Sequence, residues 1–455
     1  MEGILTVVRT VFWGLLMLSL LVFVHEGGHF LASRLMGVRV TEFFLGLPCR
    51  FNLHRASRRI GTKFGVTPIL LGGYAMVCGM EPEGDSALAA RVLGSVHRRG
   101  KATVEDLAQS LSVSEDAVMA ACIQLADWGS IAPVYDTEAG ERPGVYYATT
   151  YAAMPRDAKG NTLYDGRGFD RAHATAEGEV WAPPTPDEEF FQAERSRTYA
   201  GKGFWARAFI LVAGVAVNLV TGFLLLMAIY SLVGVTVSLD INQVGSVEAG
   251  SPADSAGIEA GDVITAVNGV ETATFTEVGD ELETVGPGGA ASLAIERGGD
   301  ALTITATLDE EGALGINVPQ ETVHLDIGQA ASVTWSYLAM TAQSIGNLLN
   351  PQHTMEVLNS STSVVGISVM AAAAAESGAS TFLSVSALIS FSLGFMNLLP
   401  IPPLDGGKLL IEVIQAIIRR PVSPKVQERI SYVGVALFGL LFLYMLRLDI
   451  VRFIL

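Results

Sequence analysis

Cysteine is scarce in this 455-residue chain: Cys49, Cys78 and Cys122 are the whole inventory, and no CxxC pair occurs. A disulfide framework is therefore not implied, and the three read as plain reduced thiols. Charged residues are also few, at 16% against 50% hydrophobic, with a formal net charge of −17. Positive charge is the rarer sign and is unevenly placed. Residues 235–377 contain a single basic residue, Arg297, among many acids, whereas 34–204 hold most of the 29 Lys and Arg. The GxSxG signature of serine hydrolases is missing, and no repeat symmetry of the transporter kind is visible.

Long apolar runs are abundant. Four are long enough to cross a bilayer, at about 4–24, 208–233, 381–399 and 430–446. Arg9 interrupts the first near its start and can snorkel to the interface. This run reads as a retained span, because no small-residue cleavage site follows it. Arg34, Arg39, Lys202, Arg207, Lys408, Arg419 and Arg420 flank span ends. The positive-inside rule then places 34–204 in the cytoplasm, and 235–377 and both termini outside.

The first run ends in His25-Glu26-Gly27-Gly28-His29. HExxH on a helix sets two imidazoles at i and i+4 on one face, within reach of one metal ion. The Glu between them is placed to deprotonate a water, the pattern of a zinc hydrolase. An ionisable group at membrane depth costs roughly 2.5–3.5 kcal/mol on insertion scales, so a cluster of three there implies function over chance. A catalytic zinc takes three protein ligands. The best third candidate is Asp405, in the run from Asn397 through Pro400, Pro402 and Pro403 to Gly406 and Gly407. Thr10 to His25 spans about 22 Å of helix, so HExxH lies toward the cytoplasmic side. Asp405 follows the third span on that same side. By itself an Asp before two glycines reads as a turn residue; at matching depth with HExxH it reads as a ligand. The prolines free backbone groups that need a polar or protein-lined cavity at membrane depth.

These residues resemble the site-2 protease family of intramembrane zinc metalloproteases, and within it the bacterial regulator of sigma-E protease group. The resemblance covers HExxH, Phe44-Leu45-Gly46-Leu47-Pro48, Leu71-Gly72-Gly73-Tyr74, the Asn218 region, a PDZ-like segment and Asn397 to Gly407. It spans nearly all of the chain except an insertion. It implies one Zn2+ held by His25, His29 and Asp405, Glu26 as catalytic base, and Asn397 gripping an unwound substrate strand. It also implies a membrane-dipping β-hairpin at 61–74, with Gly72 and Gly73, that pairs with substrate. Asn218 is a further substrate-binding candidate or a helix-packing polar residue. Two departures stand out: Gly214-Val215-Ala216-Val217-Asn218 lacks the proline common in the family, and Ser392 stands where relatives carry a second Asn.

The segment from Gly245 to Gly269 reads as strand, turn, helix, strand and an Asn268-Gly269 hairpin turn, and looks like a bacterial PDZ domain. Its peptide loop would lie near Leu314, Gly315 and Ile316. Exclusion of bulky ectodomains is the preferred role, with capture of C-termini as the alternative. Residues 103–111 and 114–128, with the turn-rich stretch to 147, look like a winged helix-turn-helix. Leu107, Leu111, Val118, Cys122 and Leu125 fit its core. DNA binding is disfavoured, because 114–128 carries Glu115, Asp116 and Asp127 and no Lys or Arg. A cytoplasmic protein partner suits it better. His54, His97, His173, His324 and His353 read as surface or loop residues.

The expected fold is thus a polytopic α-helical membrane protein of about four transmembrane helices, with an extracytoplasmic PDZ domain and a cytoplasmic winged-helix-like α+β insertion. Its segments are a first span with HExxH (1–35), a β-hairpin region (36–80), the insertion (81–150), a linker (151–204) and a second span (205–233). The PDZ domain (235–320), amphipathic or gating helices (330–377), a third span with the Asp405 motif (378–407) and a fourth span (427–448) follow. The expected partners are single-span membrane substrates and the lipid bilayer of a bacterial cytoplasmic membrane. The resemblance implies that the substrate is an anti-sigma factor already cut outside, or a signal-peptide remnant. The rival from another class is a catalytically silent PDZ-bearing scaffold with a structural metal, which would close its site with four protein ligands.

Overall fold

A computed structural model describes residues 2–136, 140–141, 147–420 and 422–453. The chain divides into two compact units, one made of Met1–Leu226 and Val333–Leu455, the other of Met227–Ser332.

In the first unit, α1 (Glu2–Leu35) runs unbroken through the apolar stretch and HExxH, ending just before Gly37, which has φ 69°. Four strands follow: β1 (Val40–Leu45), β2 (Leu53–Ala56), β3 (Lys63–Val66) and β4 (Gly73–Val77). They form one sheet in the order β2-β3-β1-β4. β1 runs parallel to β3 and antiparallel to β4. The expected hairpin over 61–74 is therefore corrected: that stretch supplies β3 and β4, but β1 lies between them. Aromatic packing selects this arrangement. Phe43 of β1 stands 4.5 Å from Phe23, 5.1 Å from Phe30 and 5.9 Å from Phe64 between ring centroids. Phe23 and Phe30 are two turns apart on one face of α1, so burying Phe43 fixes the sheet against the helix.

Next come α2 (Ser86–Arg99), β5 (Lys101–Thr103), α3 (Val104–Leu111), α4 (Glu115–Asp127), β6 (Ile131–Val134) and β7 (Thr150–Ala153). Asp85, Thr103 and Ser114 cap the three helices by accepting backbone N–H groups of the first turn. The strands pair in the order β5-β7-β6. Leu93, Leu107, Val118, Cys122, Leu125 and Trp128 fill the core between helices and sheet. The reading of 151–204 as a linker is corrected. β7 is the central strand, and α5 (Asp187–Arg195) buries Phe190 and Phe191 in that same core. The prolines at 183, 184 and 186 only bring the chain to the start of α5. His97 is likewise no surface residue. It is fully buried: its Nδ1 donates to the Leu93 carbonyl at 3.0 Å, and Arg156 Nε donates to its Nε2 at 3.2 Å.

A buried ion-pair network ties this module to the end of α1. Arg39 donates to Asp165 at 2.7 and 2.8 Å and to Glu194 at 2.7 and 3.1 Å. Arg156 donates to Glu194 at 2.8 and 2.9 Å. α6 (Phe204–Ala228) then leads into the second unit.

The second unit contains β8 (Val235–Ser238), β9 (Ser246–Val247), α7 (Pro252–Ala256), β10 (Val263–Val267), β11 (Val270–Glu271) and α8 (Phe275–Val285). β12 (Ala290–Arg297), β13 (Asp300–Thr307), β14 (Ile316–Asn317) and β15 (Gln320–Val323) complete it. The main sheet runs β11-β10-β12-β13, with ladders β14-β9 and β15-β8. Asn268 and Gly269, at φ 52° and 83°, make the tight turn between β10 and β11. Ile264, Val267, Val278, Leu293 and Ile295 form the core.

The remaining helices are α9 (Ile327–Asn347), α10 (Thr354–Ser360), α11 (Val364–Ser377), α12 (Ala379–Asn397), α13 (Asp405–Ile418) and α14 (Pro424–Phe453). Among the described residues, four helices are long and apolar enough to cross a membrane: Gly3–Leu35, Phe204–Val233, Ala379–Asn397 and Lys425–Arg452. The α10–α11 pair, bent by 47°, passes the same test as a broken fifth. The expectation of amphipathic helices over 330–377 is corrected for α11, whose Gly366, Ser368, Ala371, Ala372 and Ala374 are buried. Gly14 of α1 makes room for it, since a Cβ there would collide with Ser368.

Candidate metal centre and active site

α1 and the start of α13, some 380 residues apart in sequence, bring three donors together. His25 Nε2 lies 2.9 Å and His29 Nε2 3.0 Å from Asp405 Oδ2, and the two Nε2 atoms are 3.2 Å apart. Both histidines are 6% exposed, and a ligand atom from each of the three residues falls within 4.8 Å of the others. Among the described residues this is the only such group of His, Cys, Asp or Glu. Two neutral imidazoles and a carboxylate are a donor set that suits zinc.

The surroundings fit a metal at this point. His29 Nδ1 bonds to the Ile210 carbonyl at 2.8 Å, which turns Nε2 toward Asp405 and, in the neutral ring, frees it as a ligand. Asn218 of α6 is fully buried beside His25, its Nδ2 3.5 Å from the ring Nδ1. Gly214, one turn before Asn218, forms the wall over the donors. A Cβ there would come within 2.5 Å of His29 Nε2 and 2.8 Å of His25 Cε1. Gly28 does the same for the backbones, since a Cβ on it would strike the Ala213 carbonyl. The two glycines let α1 and α6 approach closely, and the space they leave is bounded by imidazole nitrogens. Sequence reading quoted Gly214 but gave it no role; its spacing of four from Asn218 was the available signal.

Glu26 faces a different neighbour from the two histidines, as its 100° helical offset requires. Its Oε2 accepts the Ala75 N–H of β4 at 3.1 Å. β4 is the last strand of its sheet. Ala75 therefore donates on the open side, away from β1. Gly72 N–H donates to Ser19 Oγ at 3.2 Å, and a Cβ on Gly73 would crowd the Phe44 carbonyl at 2.9 Å. Asn397 ends α12, partly exposed, at the entrance to the proline-rich turn. Ser392 bonds back to its own helix at Leu388 O, 3.3 Å away. Ser390, which sequence reading passed over, instead reaches the Asn218 carbonyl at 2.9 Å and ties α12 to α6.

In the second unit, Leu314, Gly315 and Ile316 line a groove of about 470 Å³ between α8 and β14. Leu314 O accepts from Ala253 N–H at 2.9 Å and Gly315 O from Glu248 N–H at 2.9 Å. Glu248, Glu283 and Glu311 also line the groove, without a basic residue.

Apolar crossing helices around a buried His-His-Asp cluster, with a glutamate one residue from the first histidine, define a class: metal-dependent hydrolases embedded in a membrane. The chain belongs to peptidase family M50, whose sequence profile matches residues 13–441. It is 29% identical over 444 residues to the zinc metalloprotease RasP of Shouchella clausii, covering 95% of this chain and 96% of that protein. The regulator of sigma-W protease RasP of Bacillus subtilis is 25% identical over 455 residues, covering 98% and 99%. A putative zinc metalloprotease of Mesorhizobium japonicum is 31% identical over 278 residues, 56% of this chain and 74% of its own length. The chain is a zinc metalloprotease of a bacterial membrane, with Zn2+ as cofactor.

Proposed function

We propose that this protease cuts single-span membrane proteins in or beside the bilayer, after a first cut outside. Its substrate would be an anti-sigma factor or a signal-peptide remnant. The observation that carries the reading is the meeting of His25, His29 and Asp405 on apolar helices, with Glu26 alongside. His25, His29 and Asp405 hold the zinc, which when bound supplies Lewis-acid polarisation of the scissile carbonyl. Glu26 takes a proton from the hydrolytic water and passes it to the departing amine. Ile210 O fixes the tautomer of His29, and Gly214 keeps the donor face clear.

Substrate adds as a strand beside β4, at Gly72 and Gly73, which exposes the peptide that a helix would hide. Asn397 grips the unwound segment, and Asn218 serves the metal centre from behind His25. The second unit is a PDZ domain outside the membrane, about 235–320, with Leu314, Gly315 and Ile316 as its peptide loop. Its acidic groove repels a carboxylate terminus, which favours steric exclusion of untrimmed ectodomains. The 81–195 module is a winged-helix-type domain on the cytoplasmic side. Its α4 surface is acidic, so a protein partner suits it and DNA does not.

A single-span substrate offered with its ectodomain intact or trimmed tests this reading. Mass spectrometry should place the cut inside or next to the span, in the trimmed form only. Cleavage in a soluble loop, or equal cleavage of both forms, would contradict it.

A further inference from the structure

A cavity of about 780 Å³ in the first unit has no part in the proposed chemistry. It lies where two spans begin: its wall includes Lys202, Phe204 and Arg207 at the start of α6, and Gln427 at the start of α14. Trp205, 82% exposed beside it, suits the level where lipid headgroups meet hydrocarbon. Arg419 and Arg420, at the end of α13, line it as well. In a chain of net charge −17, the wall carries Arg195, Lys202, Arg207, Arg419 and Arg420 against Glu81, Glu83 and Glu412, an excess of cations. Arg195 is matched by Glu83, and Arg207 by Glu412. Lys202, Arg419 and Arg420 have no such carboxylate among the described residues. Burial and Arg197 hold the Lys202 ammonium below its ordinary pKa, the mark of a cation short of a counter-ion.

Two further details point to a ligand. Arg207 Nε is buried and makes no hydrogen bond, although Nη2 of the same guanidinium pairs with Glu412 Oε2 at 3.2 Å. Arg419 adopts φ 53° at the C-cap of α13, a conformation that glycine usually supplies. A bulky cation thus occupies a position where the backbone favours glycine.

We propose that this cavity binds a phosphate group, with Lys202, Arg419 and Arg420 as its counter-ions and Arg207 Nε as a donor. Anionic phospholipid headgroups and free phosphate share that chemistry, and the position at two span ends favours the headgroup. The occupied site would brace α13, whose first residue is Asp405. The binding claim does not depend on the proposed substrate or on the peptidase mechanism.

Full-length protein in nanodiscs of phosphatidylcholine, with and without phosphatidylglycerol, supplies one arm, with retained lipid read by native mass spectrometry. Titration of inorganic phosphate in detergent supplies the other. Arg419→Gly removes charge while relieving the left-handed backbone, so loss of folding is not expected; Arg420→Gln removes the second. Affinity should fall about fivefold for each cation removed. A fall confined to phosphatidylglycerol identifies the headgroup, and a fall in phosphate binding identifies the free anion. No binding by the wild type in either arm, or equal binding by wild type and both variants, would overturn the proposal.

Discussion

At the scale of single residues, the metal centre depends as much on what is missing as on the donors. Gly214 leaves room over the imidazoles that even one methyl would fill. Gly214→Ala should therefore weaken zinc retention about tenfold or more, comparable to loss of an outer-shell partner, with the helices otherwise intact. Metal analysis after dialysis against a graded chelator checks this. A variant retaining zinc like the wild type would show that the wall is not tight. HExxH and Asp405 were legible because their chemistry is written in residue type and spacing. Ile210 and Ser390 were not, because a backbone carbonyl and one serine among several on a helix carry no distinguishing mark, and Gly214 left only its spacing of four from Asn218.

His97 gives a second residue-scale prediction. Burial, and then Arg156, push its pKa down to about 3. Between its ordinary value near 6.5 and about 3, the unfolded chain takes up a proton that the folded chain refuses. Stability is thus intact above pH 6.5 and is lost as pH falls, by at most about 1.4 kcal/mol per pH unit. Asp127 acts oppositely: burial raises it to about 6, so the folded state favours its proton between about 3.8 and 6. The difference between wild type and His97→Gln isolates the histidine. Hydrogen exchange over α2 to α5 should show a shallower pH dependence in the variant below pH 6.5; identical profiles would count against this account.

At the scale of elements, packing decided what patterning could not. The four spans were legible because each is a long apolar run. α11 was not, since its 14 residues are too short to span alone and a 47° bend parts it from α10, while its fit depends on Gly14 making room for Ser368. Gly14→Leu should drive α11 off α1 and cost about 1–3 kcal/mol by overpacking. Thermal unfolding in detergent would show it as a lowered midpoint; an unchanged midpoint would mean that the helices part without loss. The β2-β3-β1-β4 order was equally hidden. Each strand is short, and a parallel β1–β3 pair leaves no turn signal. Phe190 and Phe191 anchor α5 in a stretch whose prolines suggested only a linker.

At the scale of the whole molecule, charge and hydropathy agree with the site. The half-sites on α1 and α13 were expected at one depth from the placement of Lys and Arg alone, and the side chains do meet. What sequence could not convey is how the 81–195 module attaches. Arg39, four residues past α1, anchors in Asp165 and Glu194 with almost no exposure. Arg39→Met leaves Glu194 with one partner fewer and should destabilise by about 3–5 kcal/mol, loosening the module at the end of the HExxH helix. Limited proteolysis should then cut near residue 80 or 200 faster than in the wild type.

The most direct test of the central claim pairs zinc content with cleavage of a trimmed single-span substrate, for wild type, Glu26→Gln and Asp405→Ala. The account predicts one zinc per chain and cleavage for the wild type. Glu26→Gln should retain zinc while cleavage falls about 10²–10⁴-fold, and Asp405→Ala should lose both. Full cleavage by Glu26→Gln, or full zinc occupancy in Asp405→Ala, would contradict it.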